Sequence, residues 1–413
     1  MPQASLISSS HDIDEAPRVV PAARIADDLQ AIDAAHALAA DFAQGAARRD
    51  RERGLPWREI ERYSASGLGG ITVPREYGGP EVSHVTLAEV FRIISAADPS
   101  LGQIPQNHFG FLNLLRLTGS TSQKRHYYDG VLAGRRLGNA GPKRHTRHTR
   151  DIQARLVPDG DGFRLTGRKF YSTGALFAHW IPSKVLDAQG RLVTVVLERG
   201  APGLTVVDDW SSFGQRTTAS GTVLLDNVRV EADSILPAWT VQERPVLIGP
   251  FAQLMQAAID AGIAQGALTD TVSFLRERSR PWVEANVERA TQDPYVIADV
   301  GRLYTELHAA EALLTEAAQH LDDAATRELD ADGVAAGSIV VARAKALTTE
   351  IALAASEKLF ELSGARASLA EFNLDRHWRN ARTHTLHDPV RWKYHAIGNH
   401  VLNGQRPNRH SWI

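Results

Sequence analysis

The chain has 413 residues, too many for one ordinary core, so two or three domains are expected. Apolar residues make up 43% and charged residues 23%, the balance of a globular protein. A net charge of −2 excludes a nucleic-acid footprint or a basic membrane face, and no apolar run is long enough to span a bilayer.

Residues 1–25 lack the basic start and apolar core of a signal peptide and read as a loose N-terminal arm, so a cytoplasmic protein is expected. Residues 26–137 carry helical periodicity. The Ala-rich run from Ile25 to Ala47 and the stretches Val85–Ala97 and Phe109–Leu117 are amphipathic, with turn signals at Pro74, Tyr77-Gly78-Gly79-Pro80 and Asp98-Pro99 between them. Between 138 and 242 the texture changes to short Val-, Leu- and Thr-rich runs: Gln153–Val157, Phe163–Phe170, Leu192–Leu197, Leu204–Val207 and Thr222–Val230. That pattern predicts a small antiparallel β domain. From 243 to 413 long helices return over Pro250–Arg278, Val296–Leu321 and Gly333–Leu362, the last stopped by Ser363-Gly364. Such helices pack as a bundle.

Cysteine is absent, which excludes disulfides, thiolate metal sites and cysteine nucleophiles. Met1 and Met255 are the only methionines. Two sulfur atoms in a chain this long fit either GC-rich codon drift or economy in a protein made when sulfur is scarce.

Histidine concentrates in Arg382-Thr383-His384-Thr385-Leu386-His387-Asp388-Pro389. His384 and His387 are three apart and share a face if the segment is helical. Asp388 before Pro389 reads as a helix N-cap, since proline suits a first turn. His145-x-x-His148 and His384-x-x-His387 both have a zinc-compatible spacing, but a third ligand and an HExxH motif are missing. The first pair also lies in a basic run, Lys143 to Arg150, so no metal is expected.

Four stretches carry a resemblance. They are Gly167-Arg168-Lys169-Phe170-Tyr171-Ser172-Thr173-Gly174; Phe213-Gly214-Gln215-Arg216-Thr217-Thr218-Ala219-Ser220 followed by Val223–Val230; Arg278-Ser279-Arg280-Pro281-Trp282; and Arg379-Asn380-Ala381-Arg382. Over roughly residues 30 to 400 the chain resembles the acyl-CoA dehydrogenase superfamily. With Trp210, the 362–368 stretch LSGARAS and the 379–389 stretch RNARTHTLHDP, it is most similar to the flavin-dependent monooxygenases related to dibenzothiophene monooxygenase and to the sulfur-acquisition oxidoreductases.

The resemblance implies an α+β multidomain fold: an N-terminal α-helical domain, a central antiparallel β-barrel and a C-terminal four-helix bundle, assembled as a homotetramer. It implies FMN, supplied as FMNH2 by a separate NAD(P)H:flavin reductase, reacting with O2 to oxygenate a small organosulfur substrate. The chain itself shows no GxGxxG nucleotide motif for a reductase. His387 and His384 are then expected at the flavin, with His387 hydrogen-bonding the oxygenated flavin, because histidine titrates near neutral pH. His108 matches a pocket histidine of the N-terminal domain. Thr173, with Ser172 beside it, matches the hydroxyl that meets flavin N5. Asn139 matches an asparagine beside the flavin or the substrate, Tyr171 flanks the ring, and Trp210 walls the pocket. Arg366, Arg280 and Arg278 are expected to hold the phosphate, Arg280 and Arg278 from a neighbouring subunit.

Two departures matter. Where the dehydrogenases carry a glutamate base, this chain has Asp388, one methylene shorter. Where they carry a glycine-rich stretch for the ADP half of FAD, it has Glu361-Leu362-Ser363-Gly364-Ala365-Arg366, which trades backbone approach for a cation and favours FMN. The alternatives are an FAD-dependent acyl-CoA dehydrogenase with Asp388 as base, a catalytically altered flavin-binding homologue suggested by the unusual 141–148 loop, and a monooxygenase acting on nitrogen or carbon.

Overall fold

A computed structural model describes residues 17–144, 146–148 and 151–413. Part of the N-terminal arm and His145 of the first histidine pair lie outside these residues. The arm is docked rather than loose over 17–25: the Ala23 N–H donates to Ala65, and His179 Nε2 pairs with the Arg18 carbonyl.

Seven helices follow. They are α1 (Asp28–Ala43), α2 (Ala46–Glu52), α3 (Trp57–Ala65), α4 (His84–Ala97), α5 (Pro99–Gln103), α6 (Gln106–Thr118) and α7 (Thr121–Leu132). The run expected as one helix from Ile25 to Ala47 breaks near Gly45. Side-chain caps set the starts: Asp27 for α1, Ser83 for α4, Asp98 with Pro99 for α5, and a Ser120–Gln123 capping box for α7.

The middle region holds β1 (Leu156–Asp159), β2 (Gly162–Lys169), β3 (Trp180–Leu186), β4 (Leu192–Glu198), β5 (Leu204–Val207), β6 (Thr222–Val230) and β7 (Ile235–Leu236). They form two antiparallel sheets, ordered β1-β2-β6-β5 and β3-β4-β7. A single parallel bridge, Arg155 to Leu186, joins the two. The expected barrel is not closed: the strands form two linked sheets, with no ladder between β5 and β7 among the described residues. Strand β3 escapes a period-two reading because it is buried on both faces through Val185 except at Lys184, and contains Pro182.

The third region is α8 (Ile248–Glu277), α9 (Pro294–Ala325), α10 (Ala331–Ser363), α11 (Asp375–His384) and α12 (Arg391–Asn403). Helices α8, α9 and α10 pack on one another, while α11 and α12 lean on α10. Gly364, at φ 77°, ends α10 as the Ser363-Gly364 signal predicts. Helix α8 is buried along most of its length and also meets α4. That contact is backbone on backbone: a Cβ at Gly262 or Gly266 would lie 2.5 Å from the Arg92 or Ala96 carbonyl oxygen. No described helix is long and apolar enough to cross a membrane.

Candidate active site

Two of the sequence motifs meet. The loop after Phe213 packs directly on α11, where a Cβ at Gly214 would lie 1.8 Å from the Arg379 carbonyl oxygen. Asn380 Oδ1 accepts from the Gln215 N–H at 2.6 Å, and Arg379 Nη1 donates to the Phe213 carbonyl at 3.0 Å. Arg379 is itself anchored by a 2.6 Å ion pair to Asp50 on α2. The same loop reaches the β2 end: Ser220 Oγ lies 2.7 Å from both Thr173 Oγ1 and Thr218 Oγ1. The 167–174 turn, the 213–220 loop and α11 therefore form one continuous edge.

That edge is strained and under-satisfied. Tyr171, Gln215 and Ala219 all have positive φ, between 46° and 57°, a region that costs non-glycine residues about 1–3 kcal/mol each. Asn139 Nδ2 donates to the Tyr171 carbonyl at 3.1 Å and holds it there. Ser172 Oγ and both amide atoms of Gln215 are buried with no partner in the chain. Each such atom costs about 1–3 kcal/mol unless a bound group pairs it. A flat heteroaromatic ring with carbonyl and N–H edges is the kind of group that fits. Half-exposed Tyr171 and Trp210, 6.1 Å apart, stand at that edge of the chain, and Trp210 Nε1 donates to the Gln215 carbonyl.

The helical side is the reverse. His384 is fully buried at the end of α11. Its Nδ1 lies 2.5 Å from Asp260 Oδ1 on α8, and its Nε2 lies 3.0 Å from Gln103 Oε1 on α5. Gln103 Nε2 lies 3.2 Å from His387 Nε2, and His387 Nδ1 donates to the His384 carbonyl at 2.6 Å. Asp260 Oδ2 takes the Lys345 ammonium at 2.5 Å and the Thr349 hydroxyl at 2.9 Å. Burial alone would raise the Asp260 pKa, but the Lys345 and His384 charges hold it below the ordinary carboxylate range. The pair does not share a helix face, because α11 stops at His384 and the turn that follows returns His387 to it. His387 keeps an accessible face, whereas His384 has none. Surrounding protein, then His384, holds the His387 pKa below its usual value.

Other expected residues fall less simply. His108 is a satisfied core histidine: Nε2 donates to the Gly69 carbonyl, Nδ1 accepts from the Leu137 N–H, and burial lowers its pKa to about 4. Both nitrogens are spent on backbone groups inside the core, and the ring has no accessible face. Asp388 caps nothing, since the cap of α12 is Val390 with no side-chain bond. Asp388 is buried and ion-paired to Lys393 at 2.5 Å, although neither carboxylate oxygen is aligned for a hydrogen bond, so the ammonium rather than a ligand neutralises it. Arg278, Arg280 and Arg366 are exposed, and none joins an ion pair among the described residues. Arg278 and Arg366 gather over Phe372, before α11 begins. The ten residues of α11, about 15 Å, separate that end from His384. The 141–148 loop is docked where it is described, with Arg144 3.7 Å above the Phe170 ring and Lys169 Nζ donating to the Gly141 carbonyl.

Sequence reasoning missed Gln103, Asp260, Lys345 and Thr349. A signal existed for two of them. Asp260 is the single charge in Leu254–Ala264, and Lys345 interrupts another apolar stretch. A charge inside an alanine-rich stripe is buried and therefore needs a partner.

Two family models match: the acyl-CoA dehydrogenase N-terminal domain over residues 26–135 and the C-terminal domain over 254–392. Dibenzothiophene monooxygenase from Rhodococcus erythropolis is 37% identical over 404 residues, 93% of this chain and 96% of that protein. A probable FMNH2-dependent monooxygenase, SfnC, from Pseudomonas putida is 32% identical, covering 91% and 96%. Among solved structures, FMN-bound TdsC from Paenibacillus sp. A11-2 is 32% identical with a TM-score of 0.89, over 93% of this chain and all of that one.

Proposed function

The chain belongs to the acyl-CoA dehydrogenase family, and from that premise we propose that it is an FMNH2-dependent monooxygenase acting on a small organosulfur compound. One observation within the site carries the choice over dehydrogenation. The acid at the dehydrogenase base position, Asp388, is locked to Lys393, and the group left with an accessible face is His387.

When bound, reduced FMN supplies the activation of O2. The chain's own residues do the rest. Ser172, Thr173 and the Gln215 amide pair the polar edge of the ring. Tyr171, set by Asn139, and Trp210 flank it and exclude water. His387, held by the His384 carbonyl and by Gln103, stands on the accessible side of the pair, and its Nε2 would serve the reactive face of the ring once Gln103 turns away from it. Arg278, Arg280 and Arg366 take the terminal phosphate, consistent with their lack of carboxylate partners. His108 and Asp388 are assigned structural roles. A separate NAD(P)H:flavin reductase supplies the FMNH2. A homotetramer and a cytoplasmic location belong to the same proposal.

The test is titration of purified protein with FMN and FAD, oxidised and dithionite-reduced, followed by turnover with a reductase on sulfones, sulfides and thiophenes. Tighter binding of reduced FMN and oxygenated product are expected. Tight FAD binding with flavin bleaching on adding an acyl-CoA would overturn the reading.

A further inference from the structure

The hydrogen-bond chain Asp260–His384–Gln103–His387 fixes a proton count. His387 Nδ1 faces a carbonyl oxygen and must carry a proton. His384 Nδ1 faces the Asp260 carboxylate, which the Lys345 ammonium and the Thr349 hydroxyl keep ionised, so the proton between them sits on the ring. Gln103 offers one oxygen and one NH2, and a histidine nitrogen stands at each. Whichever way the amide is turned, the oxygen needs a protonated nitrogen opposite it. Three protons are therefore distributed over two rings, one more than two neutral imidazoles hold.

We infer that Asp260 and Gln103 are positioning residues that store this additional proton and decide which histidine carries it. In the observed arrangement Gln103 Oε1 faces His384, so His384 carries both protons and Gln103 Nε2 donates to the lone pair of His387. Turning the amide over reverses the assignment: the proton lost from His384 Nε2 is balanced by one gained at His387 Nε2. Nothing is oxidised or reduced. Among the described charged groups around the pair, Asp260 is matched by Lys345 across α8 and α10 and Asp388 by Lys393 on α12, while the Arg382 guanidinium turns to the Thr385 hydroxyl. The buried cluster thus carries one net positive charge, stored behind the one histidine with an accessible face. Asp260 cannot release its hold easily, because it sits at 0% exposure with three partners.

What that proton does in catalysis rests on the monooxygenase reading, but the count does not, so the two fail separately. The experiment is solid-state 15N NMR of the full chain, histidine-labelled and flavin-free, at about pH 8, well above the ordinary histidine pKa of about 6.5. The His384→Asn and His387→Asn variants assign the two rings by subtraction. One doubly protonated ring is expected in the wild type, and its loss in Asp260→Asn and in Gln103→Leu. Gln103→Glu, which keeps an acceptor opposite His384, should retain it. Reconstituted with FMNH2, Asp260→Asn should release several-fold more peroxide per product formed, with reduced-FMN affinity unchanged. Two singly protonated rings in the wild type, or a doubly protonated ring that survives Asp260→Asn, would overturn the inference.

Discussion

The two sides of the site are built on opposite rules. On the β side, Ser172 and Gln215 bury polar atoms that the chain leaves unpaired, on a backbone strained at Tyr171, Gln215 and Ala219. On the helical side, Asp260, His384, Gln103 and Lys345 are buried as deeply, yet each has its partner within 3.2 Å. The first surface is complete only with a ligand. Those four helical residues need no ligand to complete them, and they present a set proton count to whatever binds. Ligand affinity should therefore reside on the β side, and reaction outcome on the helical side.

Four predictions break or sharpen that contrast. The largest effect belongs to the helical side. Lys345→Met strands Asp260 with one cationic partner fewer and should cost about 3–5 kcal/mol of stability, read by chemical denaturation. Pairing it with Asp260→Leu should restore most of that stability while peroxide leakage stays high. Next is acid sensitivity. His108 is held neutral, with a folded pKa of about 4, so the unfolded chain binds more protons between about pH 6.5 and 4. Its share of stability is present above about pH 6.5 and falls with pH through that window, by on the order of 3 kcal/mol at pH 4. His108→Gln should flatten the slope of melting temperature against pH over that interval. If the slope is unchanged, the neutral core assignment is wrong.

The third effect is on binding. Ser172→Ala should weaken reduced FMN about 10-fold, the worth of one hydrogen bond, while leaving the flavin-free protein as stable or slightly more so. A drop in stability of the flavin-free protein would show that Ser172 is already satisfied. The smallest is Asn139→Ala. Removing the bond to the Tyr171 carbonyl should cost about 1 kcal/mol and lower flavin affinity less than Ser172→Ala does. An equal or greater loss of affinity would mean that Asn139 touches the ligand itself.

Much of this was legible in the sequence, and the reasons differ by residue. Helix α9, β5 and β6 declare themselves because each buries one repeating face or a short apolar run, and α8 because its small and apolar residues run most of its length. The stretches around Gln215 and Asn380 stood out as motifs, and the fold joins them through one hydrogen bond. Asp388 was misread because the cap is a local rule, whereas its partner Lys393 is brought round by the turn into α12. His108 looked available because its two backbone partners, Gly69 and Leu137, are 39 and 29 residues away. The Asp260–His384–Gln103 chain draws on α8, α11 and α5, and no window of sequence contains it. Only the placement of two charges in apolar stretches hinted at it.

The seam at Gly262 and Gly266 bears on how such a protein can be re-engineered. Helices α4 and α8 touch through their main chains, so neither can slide or tilt without a collision. A hinge between the helical regions is therefore not available at this seam. Chimeras that exchange loops around the β domain should inherit a new substrate range at little cost in folding. Chimeras that cut between α4 and α8 would first have to rebuild the contact that keeps Gln103 and Asp260 within reach of the same histidine.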